Sequence, residues 1–209
     1  MTMAATAVLT ELQHDALTEL VNIGVSHAAN SLRELVGAQV LLSVPTLVLL
    51  GRQEAIETLG ERESNKLVAV HQVFEGDLVG RALLIFPETK SLELVRAVID
   101  QSLSLEDIIE LEQEALAETG NIILNGCLAT IANLLERNLK ISLPEILRGE
   151  GRDLFNLAPP PEAGDVVMFL YIDFAVRDRD IRGYIAMLMD LPSMEALIVL
   201  LDEFIARNT

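Results

Sequence analysis

The sequence predicts an α+β fold: two pseudo-twofold related α-β-β-β-α halves forming one domain, with antiparallel strands covered by helices. Three observations predict it. An internal repeat sets Glu11–Pro45 without gaps on Glu110–Pro144, 99 residues later. Apolar residues at steps of three and four mark a long helix at the head of each copy, and apolar runs of strand length come after it. Turn residues cut those runs into hairpins. The 209 residues are enough for one domain with a sizeable core. That domain is expected over residues 10–209, with internal repeats at about 10–103 and 104–207.

The first helix is expected at Glu11–Val36, where Leu17, Val21, Val25, Ala28, Leu32 and Leu35 form an apolar face. Thr10 and Gln13 have the spacing of a capping box. Its counterpart is expected at about Leu105–Arg137. Identical pairs in the two helices include Leu12/Leu111, Ala16/Ala115 and Leu17/Leu116, which read as core residues. A strand follows each helix, at Gln39–Leu50 and Asn138–Leu147. Pro45 and Pro144 sit inside these strands, and a proline cannot donate to a ladder, so both mark edges or bulges. A short helix at Gln53–Leu59 has no evident counterpart in the second copy. One hairpin is expected from Leu67–Phe74 and Leu78–Phe86 about the Glu75-Gly76-Asp77 turn. The other runs from Val166–Val176 to Ile181–Met189 with a turn at Arg177–Asp180. Gly80 matches Gly183, which puts about four extra residues in the second copy. They fall in the Pro/Gly-rich stretch Arg148–Asp165, read as a loop. Closing helices are expected at Glu88–Ile99 and Ser193–Ala206.

Composition narrows the function classes. Hydrophobic residues make up 51% of the chain and aromatics only 4%, so the core is aliphatic. A formal net charge of −17 argues against nucleic acid and against anionic membrane surfaces, and it suits a partner with a basic patch. Cys127 is the only cysteine, which excludes an internal disulfide and a cysteine-based zinc site and reads as a buried helix residue. His14, His27 and His71 form no recognisable constellation. The N-terminus lacks the charged region of a signal peptide, and no uninterrupted apolar run approaches the ~18 residues of a membrane span. A cytoplasmic protein without membrane insertion is expected.

The repeat also duplicates a polar pattern. Asp15, Glu19, Asn22 and Pro45 recur as Glu114, Glu118, Asn121 and Pro144 with identical spacing. At ~100° per residue, positions i, i+4 and i+7 fall within roughly 60° of one another on a helix. The first stripe continues through Ser26, Asn30 and Arg33, and the second through Asn125. A solvated helix face is the plain reading of one such stripe, and divergence after duplication can preserve it twice. Metal binding suffers from too few ligands on one helical face. Glycoside hydrolysis would need aromatic sugar platforms in a chain with no Trp and two Tyr. Hydrolysis of a partner's phosphoryl group fits: an amide can orient water without repelling phosphate, and a carboxylate can dock a partner lysine.

With both spacings matched twice, the chain resembles the CheC/CheX/FliY family of chemotaxis phosphatases over residues of about 10 to 205. That family's motif is Asp or Ser, three residues, Glu, two residues, Asn, twenty-two residues, Pro. Asp15–Pro45 matches it in full, and Glu114 is the one departure in the second copy. Asn-Ile-Gly at 22–24, Gly-Asn-Ile at 120–122 and Gly-Asp-Leu-Val-Gly at 76–80 are also family-like. Two copies resemble the CheC-type branch, and no C-terminal switch domain of the FliY kind is seen. The resemblance implies hydrolysis of the aspartyl phosphate of a CheY-type response regulator. Glu19 and Glu118 would dock the regulator, and Asn22 and Asn121 would position water. Asp15, Pro45, Glu114 and Pro144 would support the motif. No cofactor or metal of its own is implied; Mg²⁺ would come on the regulator. CheD, the receptor deamidase, is a further implied partner, and a monomer is expected. The alternatives are a non-catalytic adaptor for a regulator or for CheD, and a structural module of a flagellar switch.

Overall fold

The computed structural model describes residues 9–63, 66–98, 104–156, 166–176 and 179–208. The chain runs α1 (Glu11–Val36), β1 (Val40–Gly51), α2 (Arg52–Arg62), β2 (Leu67–Gly76), β3 (Gly80–Pro87) and α3 (Glu88–Val98). It continues α4 (Leu105–Leu134), β4 (Leu139–Ile141), β5 (Glu145–Gly149), α5 (Gly151–Phe155), β6 (Val166–Val176), β7 (Arg179–Met189) and α6 (Leu191–Asn208). The α1 boundaries are those expected, for a local reason. Gln13 N donates to Thr10 Oγ1 at 3.3 Å and Thr10 N donates to Gln13 Oε1 at 2.9 Å, which closes the capping box. At the other end Gly37 is left-handed at φ 63 and its N–H returns to Arg33 O.

The strands form one antiparallel sheet in the order β1-β6-β7-β3-β2-β4, with β5 also pairing β2. The order reads the same from both edges. First strands lie outermost, hairpin strands inside them, and β3 pairs β7 at the centre. On the larger face lie α1, α3, α4 and α6, which bury Val68, Val70, Phe74, Met168, Leu170, Ile172 and Phe174. On the other face α2 and α5 cover Leu67, Ala69, Leu83, Ile85, Val167 and Phe169. Alternate residues point to opposite faces, and both faces are covered, so the hairpin strands read as nearly continuous apolar runs.

The two prolines act differently. In β1 the register with β6 shifts between Ser43 and Thr46, around Pro45, and the strand carries on. The second copy, expected as one strand at Asn138–Leu147, is instead broken into β4 and β5 on either side of Ser142–Pro144. Two further expectations are corrected. The short helix after β1 does have a counterpart, α5, inside the stretch read as a loop, so the second half carries one more helix than expected. Residues 157–165 of that stretch, and 177–178 of the second turn, lie outside the described residues. Phe74 pairs Gly80 as Phe174 pairs Ile181, so Ile181 rather than Gly183 is the register counterpart of Gly80.

Helices α1 and α4 meet at two points where small residues permit close approach. A Cβ on Gly24 would lie 2.9 Å from Cys127 Cα, and one on Gly126 would lie 2.9 Å from Ala28 Cβ. The contact encloses Cys127, and burial pushes its thiol up to about 12. The stretch Leu111–Leu134 has the length and mean hydropathy, 1.2, of a membrane span, which a search for uninterrupted apolar runs does not register. Half of that window is buried within the fold, as expected of a core helix. The start of α4 is also tied down. Arg148 on β5 reaches Glu88 and Glu112, each at 3.2 Å, and Ser91 Oγ donates to Glu112 Oε1 at 2.8 Å. Leu12, expected in the core, is instead 60% exposed, and Leu35 is exposed as well.

His71 on β2 gives the fold a pH dependence. It is buried, its Nδ1 lies 3.5 Å from Glu145 Oε2, and its Nε2 has no partner among the described residues. Burial holds its pKa below the usual value of 6.5; the bond to Glu145 opposes the shift and the Arg81 charge adds to it. The folded chain thus resists the proton that the unfolded chain accepts below about 6.5. Stability is expected to fall as pH is lowered through that range. Urea midpoints between pH 7.5 and 5.5 should drop less steeply for His71→Gln; identical slopes would show that another group sets the dependence.

Candidate functional site

The polar stripe of α1 lies on its outer side. Asp15, Glu19, Ser26, Asn30 and Arg33 are exposed and Asn22 is half-buried, while Leu17, Leu20, Val21 and Gly24 face inward. In α4, Glu114 and Glu118 are exposed, and Asn121 and Asn125 are half-buried. The helical period thus brings Glu and Asn of each copy to one side of one helix. Neither Glu19 nor Glu118 has an ion-pair partner among the described residues, so both carboxylates are available to a partner's cation. Among the described residues Asp15 has one ion-pair partner, the imidazole of His14, whose Nδ1 lies at 4.0 Å from Asp15 Oδ1 and whose Nε2 lies 3.2 Å from Leu47 O. Pro45 sits at the register shift of β1, and Pro144, half-buried, just before β5.

The two asparagines differ in their surroundings. The Asn22 side chain makes no hydrogen bond among the described residues. Asn121 Oδ1 accepts two: from Gln72 Nε2 at 3.0 Å and from Asn125 Nδ2 at 2.8 Å. Gln72 Nε2 also donates to Ser142 O at 2.9 Å, with Asn125 Oδ1 a distant third acceptor at 3.5 Å. Gln72 is fully buried in β2, on the face that carries Val68, Val70 and Phe74, and its Oε1 has no partner among the described residues.

Gly120 is what brings α4 down onto this strand. A Cβ there would lie 2.5 Å from three atoms of the Val70 side chain, closer than packed carbon atoms approach. The helix therefore lies directly on β2 at the residue before Asn121. In α1 the repeat places the fully buried Val21 at the matching position. Sequence reasoning singles out Gly120 as part of a motif but misses Gln72. Its signal is present: a glutamine in phase with Val68, Val70 and Phe74 along a strand buried on both faces.

Among the described residues no three or more His, Cys, Asp or Glu side chains gather around a point that one metal ion could share. A cleft of about 450 Å³ opens on the sheet face away from both stripes, between Arg62, Glu63, Tyr171, Asp173, Arg182 and Tyr184. Its groups engage one another. Tyr184 donates to Glu63 at 2.6 Å, and the Arg62 guanidinium lies 4.4 Å over the Tyr171 ring. Burial and the neighbouring Glu63 push the Tyr184 phenol above its ordinary range.

Residues 12–49 match the model of the CheC-like family. Over 204 residues the chain is 30% identical to "CheY-P phosphatase CheC" of Bacillus subtilis (strain 168), which covers 91% of this chain and 94% of that protein. The crystal structure of Thermotoga maritima FliY superposes with a TM-score of 0.70 at 18% identity, covering 97% of this chain and 100% of that one. The FliM middle domain of H. pylori superposes with a TM-score of 0.59 at 10% identity, covering 92% and 99%. At those identities the two structures share the fold: one antiparallel sheet covered by helices.

Proposed function

Because this chain belongs to the CheC-like family, we propose that it hydrolyses the aspartyl phosphate of a CheY-type response regulator, at two sites on α1 and α4. The observation that carries the reading is the duplicated Glu–Asn pair, an exposed glutamate and a half-buried asparagine on one side of a helix in each half of a chain 30% identical to a protein named for that activity. Glu19 and Glu118 dock the regulator by pairing with a lysine on its surface. Asn22 and Asn121 insert beside that group and hold the attacking water. The water oxygen forms the new P–O bond while the bond to the aspartyl carboxylate breaks. One water proton stays on the new hydroxyl and the other passes to a phosphoryl oxygen, releasing dihydrogen phosphate and a free carboxylate.

The transition state is loose, so positioning and electrostatics suffice, and the regulator supplies Mg²⁺ and its own charged groups. No nucleophile is required of this chain. Glu114 keeps the charge of Asp15 with one added methylene, so we take the second site as active. A single chain acting in the cytoplasm is enough, since both stripes belong to it.

The test is the decay of a phosphorylated CheY-type regulator with and without catalytic amounts of this protein. Accelerated decay with multiple turnovers supports the reading. A regulator that binds but decays at its own rate would overturn it in favour of an adaptor.

A further inference from the structure

Gln72 lies outside the duplicated motif, yet it is the side chain that decides how Asn121 faces outward. The Ser142 carbonyl oxygen can only accept, so the group of Gln72 that faces it at 2.9 Å must be the Nε2 amide. That amide has two hydrogens, and the second meets Asn121 at 3.0 Å. The atom of Asn121 on that side must therefore be its oxygen, and the Asn125 amide reaches the same oxygen at 2.8 Å. Both lone pairs of Asn121 Oδ1 are then occupied. Its Nδ2 group has no partner among the described residues and is left to face the partner. A backbone carbonyl thus fixes, through two amides, which end of Asn121 is presented.

We propose that Gln72 is the positioning residue of the second site. It locks Asn121 so that the amide hydrogens, rather than the amide oxygen, meet the attacking water and the phosphoryl oxygens. This rests on the proposed reading of the α4 site. The independent observation is the state of Gln72 itself. It is fully buried, and its Oε1 is an orphaned acceptor among the described residues. A glutamine in that position is unfavourable for folding unless it does something an apolar residue cannot. The other half of the molecule makes the comparison directly. Ile141 pairs Phe74 as its repeat counterpart Leu42 pairs Phe174, so the register counterpart of Gln72 is Ile172. Ile172 is buried in the same core, and the Asn22 side chain of α1 has no hydrogen bond among the described residues to orient its amide. The first site therefore holds a free amide and the second a fixed one.

The experiment isolates each site. In an Asn22→Ala background only the second site is left, and Gln72→Met replaces the buried amide by an apolar side chain of similar length. Decay of phosphorylated regulator should slow roughly tenfold in kcat with KM unchanged, because docking through Glu118 is untouched. In an Asn121→Ala background, where the first site works alone, the same substitution should change neither constant. The melting temperature should hold or rise, since an orphaned acceptor is removed. The Asn121 side-chain ¹⁵N–¹H₂ pair, assigned from the Asn121→Ala spectrum, should shift on Gln72→Met. Equal kcat for Asn22→Ala with and without Gln72→Met would overturn the proposal while leaving the phosphatase reading intact. So would an equal fall in both backgrounds. An Asn22→Ala/Asn121→Ala protein as active as wild type would remove the premise, and this proposal with it.

Discussion

Replacing Asn22 and Asn121 together by alanine is expected to slow catalysed dephosphorylation of the regulator by roughly 10²-fold or more, to near its own decay rate. The expectation rests both on the groups the stripes lack and on those they hold. The exposed carboxylates of Glu19 and Glu118 would repel a phosphoryl group, so they suit docking rather than water activation. The asparagines are the neutral polar groups beside them. Both are half-buried on helices whose opposite sides carry the core; alanine at 22 removes no side-chain hydrogen bond among the described residues, and alanine at 121 removes the oxygen that accepts from Gln72 and Asn125. Each single variant should retain the turnover of the other site, and binding of the regulator should survive in the double variant. Stopped-flow decay of the phosphorylated regulator, paired with a binding titration, separates the two effects. A double variant that keeps wild-type kcat would rule out the asparagines as the water-positioning groups.

Gly120→Ala is expected to destabilise the fold and to damage the second site selectively. Helix propensity alone would favour alanine by about 1 kcal/mol, so a net loss reports the clash. The new Cβ would lie 2.5 Å from Val70, a β-branched residue with little rotamer freedom in a fully formed strand. Either α4 lifts or β2 yields, and overpacking of this kind costs about 1–3 kcal/mol. For a chain of this size that is a melting temperature lower by roughly 2–12 °C. Because Asn121 is the next residue, lifting α4 also draws it off Gln72. Activity measured in the Asn22→Ala background should therefore fall, while the first site, isolated by Asn121→Ala, should not. Val70→Ala should restore both stability and activity to Gly120→Ala. A Gly120→Ala protein that melts with wild type and keeps its second site would show that α4 does not depend on this contact.

Much of this arrangement is legible in the sequence, and the parts that are not have identifiable causes. The α1 boundaries come from Thr10, Gln13 and Gly37, which act within a turn of the helix ends they cap. The stripes come from helical period alone. Pro144 is readable as a disturbance of a strand, but not as a full break, because the break depends on how β2 pairs with two separate pieces, β4 and β5. The five residues of α5 are too short to show a period, and neighbouring prolines and glycines mask them. Leu12 and Leu111 keep their identity across the repeat, yet both face outward, so identity between copies does not by itself mean a core position. The orientation of the Asn121 amide cannot be read from sequence at all. It arises from Gln72 in β2 and Ser142 beside β4, residues that meet only in the finished sheet.

The sheet order has one more consequence. With β3 and β7 paired at its centre, the chain has the layout of a symmetric dimer whose protomers have been spliced end to end. Two identical subunits must change together, since one gene writes both active faces. A spliced pair escapes that constraint: each face drifts on its own while the seam between them still shares one core. Gln72 on one side and Ile172 on the other are that freedom in use. Selection can tune the turnover of one face and keep the other for a different partner, concentration or moment, within a single polypeptide.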